Sequence, residues 1–457
     1  MDNFGILSLV PAIFVIVFSI WTKKVLEAMI IAGVMGYIIY YKLGFVGPAI
    51  DGLCESMDAD TMWVVLISLL FGSLIYLLRE SNGTKAFGNI ARKYANTPRK
   101  SLMFTFILGI VIFIDDYLSI LTSANSMIEV TDEQGVPREM LSYVIDTTSA
   151  PVCVIIPISA WVVYFAGIFE KEPAAAFLGD SGLSIYYHVI PYFFYPFICV
   201  LMVPLVIYGI IPKLGGMKKA YKRVEETGMV YSEASKVFNH EINDESEENS
   251  KKEQKVYTFI LPMLAVVGVT IWQDDVLWGV LAGITACAIV YLPTKVMTFD
   301  KFSDCLIGGI ADMSFMGAVL VVSTFLRNAM ILIGLPDYVI KVASPYMSPA
   351  LLPAVGFVVI GIVVFVTGSI WSIPAVTTPI LVPLAAAVGA SIPLTLGAII
   401  SAAVFGAHAC FYADVTILSS AACRIDNMDK SLAQLPYALI CAVLTLILLL
   451  VGGFLMV

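Results

Sequence analysis

Long apolar segments, separated by short polar turns, run along almost the whole chain. The first half contains six of them, at residues 5–21, 25–43, 61–78, 101–127, 138–168 and 184–212. A helix of about 20 apolar residues crosses the hydrocarbon core of a bilayer. The pattern therefore predicts an all-α polytopic membrane protein with about 10–12 membrane segments.

One long polar segment, 213–255, divides the chain into transmembrane regions 1–212 and 256–457. It begins with a basic stretch from Lys213 to Arg223 and becomes acidic between Glu241 and Glu253. Such a composition is too polar to bury a core. We interpret it as a solvated, partly helical cytoplasmic loop, with a regulatory domain as the alternative.

The two transmembrane regions resemble each other. Gly109–Phe113 recurs as Gly361–Phe365, and the same shift superposes Ala59 on Ala311. Because Val, Ile and Gly are common in any membrane helix, chance similarity is the alternative. We interpret the pattern as an internal repeat.

Basic residues indicate the sidedness of the repeats, since short cytoplasmic loops are rich in Lys and Arg. They place the turn at Lys23 and Lys24 and the loop with Lys85, Arg92 and Lys93 inside. Six full crossings would then put the basic start of the central loop outside, so one segment must fail to cross. Segments 101–127 and 138–168 are the candidates for broken or re-entrant helices. An odd number of crossings in each half would give the two repeats opposite orientations in the membrane. In the second half, Asp274 stands in the first turn where the first half has Lys23 and Lys24, as such an inversion predicts.

Composition narrows the class of protein. Hydrophobic residues make up 59% of the chain and charged residues 13%, which excludes a soluble domain. The eight cysteines lack metal-ligand spacing, and no phosphate loop or nucleotide fingerprint occurs. We therefore expect no bound cofactor, no nucleic-acid partner, and the lipid bilayer as the surroundings.

Five carboxylates lie within apolar segments, where a charge costs about 2.5–3.5 kcal/mol on insertion scales. They are Asp115, Asp116, Asp146, Asp312 and Asp414. Each needs a partner, a water-filled cavity or a bound cation. The oxygens of Ser119, Thr122, Ser123 and Asn125 follow the first pair and suit a hard cation such as sodium. The alternative is that the pair caps a broken helix end.

Pro151 follows Asp146 and Thr147 and cannot donate to a helix, which would free the carbonyl of Thr147 as a cation ligand. The second half has polar tracts around Ser369 and Trp371 and from His408 to Asp414. His408 is a candidate proton partner, or a structural hydrogen-bonding residue.

These motifs together resemble the NhaC-type sodium/proton antiporter family of the ion transporter superfamily. The resemblance covers most of the chain and rests on Phe113–Tyr117, Val130–Asp132, Tyr143–Cys153, Gly368–Trp371 and Asp414–Ser420. It implies sodium coupling, with a sodium/proton antiporter, a malate/lactate exchanger or an amino-acid carrier as the activities. The family often has an acid where this chain has Ala407, which would leave space for an organic solute.

We predict two sets of binding residues. The sodium and proton ligands are Asp115, Asp116, Asp146, Asp414, Thr147, Ser119 and Thr122, with Asp116, Asp146 and Asp414 as direct metal ligands. The residues for an organic solute are Ser123, Asn125, Trp371, Ser369, His408, Phe411, Tyr412 and Thr416.

The predicted function is sodium/proton antiport by alternating access, without enzymatic activity, in the cytoplasmic membrane of a prokaryote. The alternative is sodium- or proton-coupled transport of an amino acid or small carboxylate. A passive ion channel and an intramembrane enzyme are the hypotheses from other classes. A homodimer is compatible with the sequence.

Overall fold

The computed structural model describes residues 4–22, 24–81, 83, 94–239, 255–273, 275–343, 345, 347–411 and 413–456. Several residues that the sequence analysis used lie outside these ranges: Lys23, Lys85, Arg92, Lys93, Asp274, Tyr412 and the acidic part of the central loop. The described residues form helices and connecting turns, with no strand among them.

The helices fall before, within and after the central polar segment. Helices α1–α11 are Leu9–Thr22, Val25–Tyr41, Val46–Glu55, Ala59–Glu80, Pro98–Val111, Asp116–Glu133, Arg138–Thr147, Ala150–Ile155, Ala160–Glu170, Gly182–Val189 and Phe194–Tyr208. Helices α12–α21 are Gly215–Thr227, Tyr257–Gln273, Val276–Tyr291, Phe299–Leu332, Leu335–Ala343, Leu352–Thr367, Ser372–Val388, Ile392–Ala409, Asp414–Ala422 and Asn427–Leu455.

The chain is a multi-pass membrane protein. Five helices among the described residues are long and apolar enough to cross a bilayer. Two further pairs are bent, by 44° between Arg138–Ile155 and Ala160–Glu170 and by 52° between Gly182–Tyr192 and Phe194–Tyr208. With five shorter apolar helices, these elements match the predicted range of membrane segments.

The prediction of broken helices is confirmed. Segment 101–127 divides into α5 and α6 at Ile112–Asp115, and segment 138–168 divides into α7, α8 and α9. Pro151 lies in the first turn of α8, after Ala150, and does not interrupt a continuous helix, because a first-turn residue needs no hydrogen-bond donor. The bend in 184–212 was not predicted; there, a short 3-10 helix at Ile190–Tyr192 separates α10 from α11.

Breaks recur in the same order in the second half. Gly368 ends α17 with a φ of 70°, a left-handed conformation that glycine adopts without a steric penalty, and α18 starts at Ser372. A second break separates the end of α19 at Ala409 from the start of α20 at Asp414. This order parallels α5, α6, α7 and α8 in the first half.

The helices pack into two groups. The long-helix group contains α1–α4 and α13–α15, and its centre is the crossing of α4 with the long helix α15. At this crossing the backbones of Gly72 and Gly309 approach so closely that a Cβ atom on either would meet the other's backbone. The broken-helix group contains α5–α11 and α17–α21. The boundary between the groups is the setting of the site described below.

Part of the central polar segment packs onto the broken-helix group. We call residues 213–239 the cap segment. Arg223 forms an ion pair of 2.8 Å with the buried carboxylate of Glu139, and the backbone N–H of Arg138 donates to the carbonyl of Val230 at 2.9 Å. Ser232 donates to Asp429 at 2.5 Å. Up to Asn239, therefore, the segment is partly helical as predicted but is docked rather than freely solvated.

Candidate transport site between the two helix groups

A cavity of about 250 Å³ lies between the long-helix group and the broken-helix group. The long-helix group supplies residues from α4 and α15, including Tyr76, Arg79 and Asp312. The broken-helix group supplies residues from three helix breaks: Asp115, Asp116, Tyr117, Leu118, Leu121, Trp371 and Asp414. Four of the five carboxylates predicted from the sequence therefore line one cavity.

Two of these carboxylates belong to the start of α6. Asp115 is the N-cap, and its Oδ1 accepts a hydrogen bond of 2.8 Å from the N–H of Leu118. Asp116 is the first helical residue, and both side chains are only 2% exposed. Asp115 therefore both caps the helix and lines the cavity, and Asp116, the next residue, lines the cavity as well. The positive end of the helix dipole favours negative charge at both positions.

Asp414 brings the second half of the chain to the same place. It begins α20, and its Oδ2 accepts a hydrogen bond from the hydroxyl of Tyr117. Its Oδ1 accepts from the N–H of Val415 at 2.9 Å. Asp414 is exposed to the cavity whereas Asp116 is buried. Two helix N-termini, one from each half, therefore present carboxylates to a shared space.

The buried side of this region contains polar atoms without partners. Among the described residues, the hydroxyls of Ser119, Ser123 and Ser372 have no hydrogen-bond partner. Trp161 lies near Asp116 and packs against Trp371 with ring centroids 4.4 Å apart. Ser119 and Ser123 follow Asp116 on one face of α6. An unpaired buried hydroxyl costs free energy, so these oxygens are available to a bound ion or water.

Asp146 lies in a different environment. Its Oδ2 is 2.9 Å from the ammonium of Lys430 and accepts a hydrogen bond of 2.5 Å from the amide of Gln434. His408 Nε2 is 3.8 Å away and also contacts the hydroxyl of Thr147 at 2.9 Å. Nδ1 of His408 contacts the Tyr195 hydroxyl at 2.8 Å. All these side chains are buried, so Asp146, Thr147 and His408 share a network balanced by an internal cation.

Asp116, Asp146 and Asp414 are the residues predicted from the sequence as direct metal ligands. The structure does not assemble them, because Asp146 is not among the cavity-lining residues. No group of three or more His, Cys, Asp or Glu side chains placed to hold a metal ion occurs in the described ranges. A single site containing all three acids is therefore not formed in this conformation.

The remaining predicted residues are dispersed. Thr122 is buried on α6 and Asn125 is exposed, and neither lines the cavity. The N–H of Ser369 donates to Thr367. The ring of Phe411 contacts Phe365, and the hydroxyl of Thr416 is 3.5 Å from the carbonyl of Ala407. Of the residues predicted for an organic solute, only Trp371 lines the cavity in the described part of the chain.

Two basic residues were missed by the sequence analysis. Arg79 ends an apolar segment, as residues at a membrane boundary often do, and it lines the cavity. Lys430 precedes Gln434 by four residues, so both project from one face of α21. The spacing of Lys430 and Gln434, next to an apolar run, was the signal that could have revealed them. That Lys430 pairs with Asp146 on α7 is shown only by the packing of the helices.

Comparison with known proteins now identifies the family. The model of the family described as "Na+/H+ antiporter family" matches residues 152–454. The chain belongs to the Na+/H+ antiporter family. It is thus a membrane transport protein by family, and the match contains Trp371, His408, Asp414 and Lys430.

Relatives of this antiporter-family chain agree with the fold. An uncharacterized protein of Haemophilus influenzae is 26% identical over an alignment of 496 positions, which covers 98% of this chain and 91% of that protein. The structure of Neisseria gonorrhoeae MtrF, from a class of antimetabolite efflux pumps, has a TM-score of 0.55 and 12% identity, and covers 90% of this chain and 85% of that chain. The Alcanivorax borkumensis YdaH transporter, described as having an unusual topology, has a TM-score of 0.53 and 11% identity over 86% of each chain. At these identities the structures are similar in fold alone.

Proposed function

We propose that this protein is a sodium/proton antiporter that works by alternating access, and not an enzyme. The observation that carries the proposal is the convergence of Asp115, Asp116 and Asp414 on one cavity between two helix groups. We place it in the cytoplasmic membrane of a prokaryote. The family match and the two transporter folds support a transporter more broadly.

The chemistry follows from charge balance. Carboxylates in a partly dry cavity need a positive charge nearby, and either a sodium ion or a proton supplies it. Because both would occupy the same oxygens of Asp116 and Asp414, binding of one displaces the other. The hydroxyl of Ser119, which has no partner among the described residues, completes the proposed sodium ligand set, with no other cofactor. Asp146 is proposed to contribute only if Lys430 moves away from it.

Alternating access requires the cavity to open to each side in turn. Its two walls belong to different helix groups, so a relative movement of the groups would change its exposure. The matching order of helix breaks supports the proposed inverted repeats at 1–212 and 256–457, joined by 213–255. A homodimer is compatible with this arrangement.

The second candidate function is coupled transport or exchange of an organic solute, such as an amino acid or small carboxylate. The size of the cavity and the presence of Arg79 favour it. A bare cation needs neither, because carboxylate and hydroxyl oxygens are sufficient ligands for sodium.

The proposal is tested with purified protein in liposomes that contain a pH-sensitive dye. An inward sodium gradient should drive protons out of the liposomes, and reversing the gradient should reverse the flux. Asp116→Asn should abolish the flux while the protein still purifies as a monodisperse species. Asp51→Asn, at an exposed position on α3, is the matched control and should behave like the unmodified protein. Sodium-independent proton flux, or full activity of Asp116→Asn, would contradict the proposal.

A further inference from the structure

The cavity between the helix groups is larger than a sodium site. Its volume is about 250 Å³, whereas a cavity that holds one water molecule needs only about 10–15 Å³. Aromatic rings of Tyr76, Tyr117, Phe315 and Trp371 form much of its wall. Walls of this kind, with a few charged groups, are typical of sites for small organic molecules.

Arg79 provides a positive charge on the long-helix side. Its guanidinium lies over the ring of Tyr76, 4.0 Å from the centroid, and its Nε is 3.9 Å from Oε1 of Glu80. Within the described chain it forms no ion pair with any of the four carboxylates that line the same cavity. The fork of a guanidinium matches a carboxylate, which it can bind through two parallel hydrogen bonds.

Three of the four carboxylates that line the cavity, Asp115, Asp116 and Asp414, belong to the broken-helix group, whereas Asp312 lies on the long-helix side with Arg79. Asp414 is exposed to the cavity and is oriented by the hydrogen bonds from Tyr117 and Val415. The buried Asp116 stands close behind it. A carboxylate held in this way can accept hydrogen bonds from an ammonium group. Arg79 interacts electrostatically with Asp115, but no ion pair among the described residues joins it to a carboxylate of the cavity.

We propose that the cavity binds a zwitterion of amino-acid size, with its carboxylate at Arg79 and its ammonium group at Asp414. The proposal rests on the proposed function, since it takes this cavity as the transport site. In the presence of the solute its ammonium group takes the place of the cation at Asp414, and Asp115 and Asp116 remain available to the coupling cation. The side chain of the solute would contact Trp371.

Arg79 also has a simpler structural role. It lies in the last turn of α4, where a cation interacts favourably with the helix dipole. That role alone would change stability when Arg79 is replaced, but it would not change the binding of any solute. The experiment therefore measures how strongly each solute binds, and not only the stability of the variants.

The test uses the purified full-length protein in detergent, in sodium buffer and in sodium-free choline buffer. The thermal unfolding midpoint is measured with each of the twenty proteinogenic amino acids. For every amino acid that raises the midpoint, three affinities are measured: that of the amino acid, that of the corresponding amine without the carboxylate, and that of the corresponding acid without the ammonium group. We expect at least one amino acid to bind, and both truncated compounds to bind about tenfold more weakly or not at all.

Variants assign the contacts. Arg79→Gln should weaken binding of the amino acid by about tenfold or more without changing the weaker binding of the amine. Arg79→Lys should lose less of the affinity for the amino acid, because it keeps the positive charge. Arg99→Gln, at an exposed position near the start of α5, is the matched control. If Arg79→Gln fails to fold, the affinities of Arg79→Lys for the amino acid, the amine and the acid are compared instead, to show whether this residue binds the carboxylate.

Three results would overturn the proposal: no amino acid binds, the amine binds as tightly as the zwitterion, or neither Arg79 variant changes affinity. Sodium-driven proton flux in liposomes without added solute is measured in parallel. If that flux persists while no amino acid binds, the zwitterion proposal fails and the antiport proposal stands. If amino acids bind but sodium does not drive protons, the antiport proposal fails instead.

Discussion

The hydroxyl of Tyr117 donates a hydrogen bond to Oδ2 of Asp414, and so joins the first broken helix of one half of the chain to a helix start of the other. Tyr117 follows the buried pair Asp115 and Asp116 directly. The bond therefore fixes the distance and orientation between carboxylates that are about 300 residues apart in sequence.

Tyr117→Phe should weaken sodium binding without unfolding the protein. Removing the hydroxyl frees Asp414 to rotate, and a hydrogen bond to a charged group contributes about 1.5–3 kcal/mol. We expect the sodium concentration for half-maximal proton flux in liposomes to rise by about tenfold. Tyr208→Phe, at an exposed position, should leave it unchanged. An unchanged sodium dependence in Tyr117→Phe would show that this bond does not organise the site.

Lys430→Gln should be strongly destabilising, because it leaves the buried carboxylate of Asp146 without its ammonium partner. Breaking a buried ion pair from one side costs about 3–5 kcal/mol. The double variant Lys430→Gln with Asp146→Asn should recover most of this loss. Chemical unfolding in detergent measures the free energy of unfolding of the two single variants and the double variant. If the loss of stability in the double variant equals the sum of the losses in the single variants, the pairing is contradicted.

The same double variant tests whether Asp146 binds sodium. If it folds and still exchanges sodium for protons in liposomes, Asp146 is not required as a cation ligand. If it folds and the flux is lost, the predicted role of Asp146 in transport gains support. Unmodified protein reconstituted at the same density is the reference.

Gly309→Ala should separate α4 from α15. A Cβ atom at this position would meet the backbone of Gly72, which also lines the cavity. Overpacking of this kind costs about 1–3 kcal/mol, so the unfolding midpoint should fall. Gly47→Ala is the matched control, because no atom lies within 4 Å of the added Cβ. Equal midpoints for the two variants would argue against the close crossing.

Arg223→Gln should loosen the cap segment, residues 213–239. Arg223 binds the buried Glu139 through two hydrogen bonds, of 2.8 and 2.9 Å, and it also donates to the carbonyls of Met229 and Val230. We expect trypsin to cleave faster at the lysines of α12, measured by mass spectrometry of timed digests. Glu226→Gln removes only an exposed pair with Lys222 and should leave the cleavage rate unchanged. Identical digestion of all three proteins would contradict the docking.

Local sequence signals were sufficient for the class of protein and for the helix breaks in segments 101–127 and 138–168, but not for the bend in segment 184–212. Apolar length predicts spanning helices whatever their neighbours, and Asp115, Pro151 and Gly368 mark breaks because cap formation, a missing N–H and a left-handed turn are properties of single residues. The carboxylates were identified because a charge is unusual in an apolar segment.

Partners across the bundle could not be found in this way. Nothing in the order of residues shows that Asp146 meets Lys430, that Tyr117 meets Asp414, or that Arg79 faces the cavity. These contacts join residues far apart in the chain, and they depend on how the two helix groups pack. The sequence by itself determined which groups must be compensated within the membrane. Only the tertiary structure decided which of them are already paired, as Asp146 is with Lys430, and which remain open to an ion or solute.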